Sequence, residues 1–268
     1  MSEDLVRKIK RFLRQLLDRK FDLSLLPATI RDDAVFLVSY PRSGNTWVRF
    51  LLANLLSYPG RRPVDFYSIH QIIPDLEIRE HREIIEALSS PRIIKSHASY
   101  RPDFPRVIYL VRDGRDVYVS YYDFLTKQGL FSGSLADLLA GADDLPYGSW
   151  HSHVESWLRN NSDASLLLVR YEDLLRNTQR ELKRMAEYVS LEVTDQQIDW
   201  AVKHSSFKKM RRLEETKGRP YGKRGHRFVR SGRAGGWMEH FDERCKEIFK
   251  SSAGEMLIRL GYVDDMEW

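Results

Sequence analysis

One cysteine, Cys245, is the only thiol in this 268-residue chain. That excludes an internal disulfide framework and any multi-cysteine metal site. Cys245 itself lies in a charged helical pattern, Asp242 to Glu247, and is expected to be an inert helix residue. No run approaches the ~20 apolar residues of a membrane span, and the N-terminal residues lack a hydrophobic signal core. Cytoplasmic residence is the expectation. Internal repeats, low-complexity segments and linkers are also missing, so residues 1–268 read as one domain. The nucleotide-triphosphate loop G-x-x-x-x-G-K-[ST] does not occur, and there is no obvious carboxylate cluster for Mg²⁺. What remains is an ordinary globular composition, 42% hydrophobic and 30% charged.

The net charge of +5 is modest but uneven. From Lys208 to Arg233, lysine and arginine recur against only Glu214 and Glu215, interleaved with Gly218, Pro220, Gly222, Gly225 and Gly232. The stretch 211–236 therefore reads as a basic, Gly-rich loop suited to a polyanion: nucleic acid, anionic lipid or a phosphorylated small molecule. Residues 3–20 place Leu5, Ile9, Phe12, Leu13, Leu16 and Leu17 on one helical face among basic residues. Packing on the domain body is the commoner use of such a helix; contact with a membrane surface is the alternative.

The strongest local signal is a strand running into a helix. Val35 to Val38 form an apolar run of the kind buried on both faces in parallel sheets. A turn with Pro41, Ser43 and Gly44 follows, and Thr46 opens a helix through Val48, Leu51, Leu52, Leu55 and Leu56. The free N–H groups and dipole of such a helix start attract anions, and Arg42 adds a cation there. Strand signatures recur at Arg92–Lys95, Val107–Val111 and Leu166–Val169. Helical patterns fall at Arg82–Leu88, Asp116–Leu125, Leu135–Leu139, Ser149–Arg159 and Thr178–Ser190, then at Thr194–His204 and His240–Leu260. This alternation predicts an α/β fold, a central parallel sheet flanked by helices.

In such sheets ligands bind beyond the C-terminal strand ends. Arg42 to Thr46, Lys95-Ser96-His97, Arg112 to Asp116 and Arg170 to Asp173 all follow predicted strands. Arg42, Lys95 and Arg112 suit an anion with several oxygens. His97 beside them is a candidate general base, its ordinary pKa being close to operating pH.

Tyr40-Pro41-Arg42-Ser43-Gly44-Asn45-Thr46-Trp47 resembles the 5′-phosphosulfate loop of the cytosolic-type PAPS-dependent sulfotransferases. Arg106 to Tyr122 resembles their 3′-phosphate segment, and Lys95-Ser96-His97 their Lys-Thr-His motif. Tyr147-Gly148-Ser149-Trp150 with His153, Val154 and Trp157, Arg170 to Leu174, Ser206 to Met210, and Arg230 to Trp237 are similar to further segments of that family. The matches run in order from residue 35 to 241. The resemblance implies a P-loop-like sulfotransferase fold and transfer of a sulfuryl group from PAPS to a hydroxyl, or an amine, of a small-molecule acceptor. PAP would be the product, and no metal would be required.

It also implies roles. Arg42 and the backbone of Ser43, Gly44, Asn45 and Thr46 would hold the 5′-phosphosulfate. Trp47, Tyr171 and Phe207 would line the adenine. Arg112 and Ser120 would bind the 3′-phosphate, joined by Arg230, Ser231 and Gly232, while Ser205 or Ser206 would add polar contacts. Lys95 would contact the sulfuryl group and His97 would deprotonate the acceptor. The chain departs from the family pattern at Arg42 and Ser231, where lysine is usual, and at Gly236, where aspartate is usual. Asn45 stands in place of a common threonine, and the Thr-Val pair of the short dimer motif is missing after Trp237. Either a monomer or a homodimer fits. Nucleic acid is not an expected partner. Tyr67, His70, Tyr100, Tyr122, Phe124, Phe131, Tyr147 and Tyr221 are candidates for an acceptor pocket. A small-molecule kinase would share the sheet but needs the missing Gly-Lys-Ser/Thr. A non-enzymatic polyanion binder leaves Lys95, His97 and Arg112 without a common task.

Overall fold

The computed structural model describes residues 30–60, 62–160, 165–220 and 232–268. The amphipathic stretch 3–20 and the candidates Tyr221, Arg230 and Ser231 lie outside the described residues. Strand β1, Ala34–Ser39, is buried at all six positions, as a strand covered on both faces must be. Helix α1, Asn45–Leu56, follows. After the short helices α2, Ile69–Ile72, and α3, Arg82–Ala87, come β2, Arg92–Ser96, and β3, Arg106–Val111. Helices α4, Gly114–Lys127, α5, Leu135–Ala140, and α6, Trp150–Asn160, precede β4, Leu166–Arg170. The remainder is helical: α7, Tyr171–Arg176; α8, Thr178–Tyr188; α9, Asp195–His204; α10, Phe207–Lys217; and α11, Glu243–Arg259.

The four strands are parallel and lie in the order β2-β1-β3-β4. Chain order reverses direction between β1 and β3, which makes the gap beyond those two strand ends the topological switch point where α/β sheets bind ligands. Register sets what arrives there: Val38 pairs with Ser96, Ser39 with Leu110, and Val111 with Arg170. The residues just beyond these pairs, Tyr40 to Gly44, His97, Arg112 and Tyr171, therefore emerge on one rim.

Side-chain alternation divides the core. Val35 and Leu37 pack with Val48, Leu51, Leu52 and Leu55 of α1 and Leu182 and Met185 of α8. Phe36 and Val38 belong to the opposite cluster with Trp150, Trp157, Val117 and Phe249. Several helix starts carry their own signals. Asp113 caps α4 by accepting from the Arg115 N–H, and Ser134 with Asp137 and Thr194 with Gln197 form capping boxes.

One expectation needs correcting. The start of the stretch read as a loop, Arg211 to Lys217, is helical within α10. Met210 anchors that helix in the core, Arg211 pairs with Glu215 one turn on, and Gly218 at φ 74° ends it. Cys245 is buried in α11, and burial pushes its thiol up to about 11.

His153 of α6 is buried between two partners: the Tyr109 hydroxyl donates to its Nδ1 at 2.8 Å, and its Nε2–H donates to the His97 carbonyl at 3.0 Å. Burial lowers its pKa to about 4. The unfolded chain, with an ordinary histidine near 6.5, binds the extra proton first, so stability is lost as pH falls from about 6.5 toward 4. The expected slope is up to about 1.4 kcal/mol per pH unit from this residue. Thermal unfolding of wild type and His153→Gln across that range checks it. An equal pH dependence in the two proteins would contradict this assignment.

Candidate active site

The turn after β1 is built to leave backbone donors open. Gly44 adopts φ 100°, no side chain caps α1, and a Cβ at Gly44 would come within 2.6 Å of the Tyr171 ring. Arg42 is itself left-handed, with φ 71°, an uncommon strained state for a non-glycine residue. Ser43 is buried, and its hydroxyl has no hydrogen-bond partner. Asn45 is tied inward instead, its amide donating to the Leu37 carbonyl and the Ser39 hydroxyl at 3.3 and 3.2 Å. Thr46 and Trp47 remain partly exposed on the first turn.

Arg42 reaches across to α4. Its Nε donates to the Ser120 hydroxyl at 3.2 Å, and its guanidinium lies 5.0 Å from the Phe124 ring centre. Arg112, at the end of β3, donates to the Arg42 carbonyl at 3.3 Å and to the Arg233 carbonyl at 3.1 Å, and it pairs with Asp116 at 3.5 Å. The same guanidinium lies 4.5 Å from the Tyr171 ring centre, and Tyr171 meets Trp47 edge to face at 5.7 Å. Gly232 is so close to Phe207 that a Cβ there would sit 2.7 Å from the ring. Arg42, Ser120, Arg112, Tyr171 and Trp47 are thus one connected group, with Gly232 and Phe207 joined to it through Arg233.

On the other side of β1 sits His97. Its Nδ1 lies 2.6 Å from the Ser39 carbonyl oxygen, so Nδ1 carries the proton and Nε2 keeps its lone pair. Burial, and after it the nearby Lys95 ammonium, hold its pKa well below the ordinary histidine value. The Tyr147 ring stands edge to face with it at 5.7 Å.

Lys95 is brought to the same strand end, but its ammonium donates to Asp75 at 3.1 Å and Glu77 at 2.6 Å rather than standing open. Glu77 also accepts from the Ser96 hydroxyl at 2.8 Å and from the His97 backbone N–H. Segment Pro74 to Glu77 joins edge strand β2 through a parallel bridge at Asp75 and Lys95. Against the cost of burial, the Lys95 charge holds Asp75 below the usual carboxylate range. Burial raises the Glu77 pKa above the usual carboxylate range, opposed by Lys95 and helped by Asp75. Asp75 and Glu77 were not among the expected site residues. Their spacing of two on an extended segment was the available signal, since it puts both on one face.

Ser205 is fully buried, and its hydroxyl accepts from the Asn54 amide at 3.0 Å. Ser206 donates to the Lys203 carbonyl at 3.1 Å at the start of α10. Of the acceptor-pocket candidates, Tyr147 and Phe124 adjoin His97 and Arg42. Tyr100 packs on Trp157, and Tyr122 on Phe131, while Tyr67 is half exposed. His70 lies against Arg49 and His81. Among the described residues, no group of three or more His, Cys, Asp or Glu is placed to hold a metal ion.

Glu77→Ala is expected to cost about 3–5 kcal/mol, because it takes one member from a buried ion network and leaves the His97 N–H without its acceptor. Denaturant unfolding measures this. A loss under about 1 kcal/mol would show that the network does not depend on Glu77.

A family model described as a sulfotransferase domain matches residues 32–261. Sulfotransferase 1E1 of Rattus norvegicus is 30% identical over 250 residues, covering 82% of each chain. An amine sulfotransferase of Oryctolagus cuniculus is 25% identical over 261 residues, covering 89% of this chain and 87% of its own. Among solved structures, mouse sulfotransferase SULT7A1 complexed with PAP aligns with a TM-score of 0.69 at 22% identity. It covers 87% of this chain and 90% of its own, and at that identity the likeness speaks for the fold.

Proposed function

Because the chain belongs to the sulfotransferase family, a PAPS-dependent group of transferases, we propose that its β1–β3 rim holds the nucleotide donor and that His97 is the general base. The observation that carries this is the juxtaposition of the uncapped α1 start and Arg42 with Arg112, Ser120 and a histidine of fixed tautomer across one strand end. The residues present fit a bisphosphorylated nucleotide. Backbone donors at the α1 start, the unpartnered Ser43 hydroxyl and the unpartnered Nε of Arg112 are buried polar groups suited to phosphate oxygens.

Arg42 and the Ser43–Thr46 backbone would hold the 5′ end, and Arg112 and Ser120 the 3′-phosphate, with Arg230, Ser231 and Gly232 as further contacts. Trp47, Tyr171 and Phe207 would line the base, and Ser206 would close that side. When bound, PAPS supplies an activated sulfuryl group. His97 Nε2 takes the proton from the acceptor hydroxyl as attack proceeds, and the Ser39 carbonyl keeps the ring in the required tautomer. Arg42 places a fixed positive charge where the leaving phosphate develops negative charge. Its hydrogen bond to Ser120 links the two phosphate subsites. Burial, and after it the Lys95 ammonium, keeps the His97 imidazole neutral; direct contact of Lys95 with the sulfuryl group would require it to leave Asp75 and Glu77.

The acceptor is a small molecule offering a hydroxyl, the group that a neutral imidazole is suited to deprotonate. Tyr147 and Phe124 supply aromatic surface beside His97 and Arg42. Cytoplasmic residence is part of the same reading, supported by the lone cysteine.

His97→Ala is expected to lower kcat by about 10²–10⁴-fold while leaving PAP affinity within twofold, as read by labelled-sulfate transfer and calorimetry. Activity within a few-fold of wild type would place the base elsewhere. Because the working form of His97 is neutral and its pKa is depressed, the acid limb of kcat is expected below pH 6.5. A limb at or above 6.5 would contradict this. Arg112→Ala should weaken PAP binding at least tenfold, and unchanged affinity would overturn its assignment.

A further inference from the structure

Arg115 lies three residues after Arg112 on the same rim, yet its guanidinium is directed elsewhere. Its Nε and Nη2 donate to the Asp113 carboxylate at 3.0 and 2.8 Å, and it is 3% exposed. Two indoles complete its surroundings. The guanidinium carbon is 3.9 Å from the Trp237 ring centre and 4.4 Å from that of Trp268, and the two indoles stand at 84° to each other. Arg115 therefore occupies a corner with a carboxylate at one side and two aromatic faces. It serves as a seat for Trp237 instead of a phosphate ligand.

Trp237 ends the Gly-rich segment that carries Gly232. No residue of its terminal turn, Gly236–Glu239, is buried, so this segment has little core of its own to hold it. Its described attachments to the body are few and specific. Asp116 accepts from the Gly235 N–H at 2.8 Å and the Trp237 N–H at 2.9 Å, and Arg112 donates to the Arg233 carbonyl. Gly232 lies against the Phe207 ring, and the Trp237 ring adds contacts to Arg115, Phe241 and Trp268. Trp268 is braced from behind by Phe249 and Lys250 of α11, while Met266 packs against Gly254 of the same helix.

We infer that Trp268 is a positioning residue for nucleotide binding: by closing the Arg115 corner it fixes Trp237, and so the Gly232–Trp237 segment and the Arg233 carbonyl that Arg112 holds. This rests on the reading that Arg112 and this segment face the donor's 3′-phosphate. A cation–π contact is worth enough to change an equilibrium about threefold to thirtyfold.

Trp268→Phe, which keeps an aromatic face, and Trp268→Leu, which keeps only apolar bulk, separate packing from positioning. Calorimetry with PAP and steady-state kinetics with PAPS are expected to show Kd and the KM for PAPS rising about threefold to thirtyfold in Trp268→Leu. The acceptor KM and kcat at saturating PAPS should stay within twofold, and Trp268→Phe should bind PAP within about threefold of wild type. Amide hydrogen exchange at Gly235 and Trp237 should quicken in Trp268→Leu without ligand. PAP affinity within twofold of wild type in Trp268→Leu, alongside weakened binding in Arg112→Ala, would overturn this inference alone. Unchanged affinity in both variants would instead overturn the nucleotide reading beneath it. Should Trp268→Leu fail to fold, Trp268→Met, which also lacks an aromatic face, takes its place: faster exchange at Gly235 and Trp237 with PAP binding weakened at least threefold supports the inference, and wild-type exchange with wild-type binding overturns it.

Discussion

One guanidinium, that of Arg112, is shared by three stretches of chain far apart in sequence. It holds the Arg42 carbonyl from the turn after β1, the Arg233 carbonyl from the Gly-rich segment, and Asp116 from α4, and it lies over the Tyr171 ring. A charged group only 7% exposed is costly to bury unless its donors are satisfied, and these acceptors take its Nη1 and Nη2 donors while Nε is left without a partner. The consequence for the site is that the turn after β1 and the Gly-rich segment, the two stretches proposed to face phosphate, are not placed independently. Parallel pairing brings β1 and β3 side by side, the switch in chain order opens a crevice between their ends, and Arg112 links the segments that line it.

A second buried charge system lies on the far side of β1 and works differently. Lys95, Asp75 and Glu77 bind one another rather than solvent, and Glu77 also holds the His97 backbone. Burial, and after it the Lys95 ammonium, holds the imidazole's pKa well below the ordinary value, while the Ser39 carbonyl selects its tautomer. In the proposed function, the cation on the donor side and the neutral base on the acceptor side would thus be separated by one strand. That division suits an in-line transfer, in which negative charge grows on the leaving oxygen and a proton departs from the entering one.

Much of this was legible in the sequence because buried parallel strands are short apolar runs. All four strands lie within a residue of where those runs predict them, and the residues following them do meet on one rim. Local chemistry was readable in part: Gly44 marks the tight turn, while α4, expected from Asp116, begins at Gly114 behind the Asp113 cap. What escaped was long-range or disguised. α10 is hidden by its charge, since ion pairs and one buried methionine hold it in place of an apolar stripe. α7 begins directly at the end of β4 with no side-chain cap. Ser205 looks like a surface serine until Asn54, 151 residues away, is packed against it. Asp75 and Glu77 acquire their role only once their segment pairs with β2.

The central claim is that Arg42 to Thr46 and Arg112 with Ser120 form the two ends of a single nucleotide site beside His97. A crystal structure of the protein with PAP tests it most directly. The expected result is one PAP across the β1–β3 strand ends, its 5′-phosphate on the Arg42–Thr46 turn and its 3′-phosphate on Arg112 and Ser120, with His97 Nε2 open toward the vacated sulfuryl position. PAP bound away from that rim, or bound there in the opposite direction, would contradict the account.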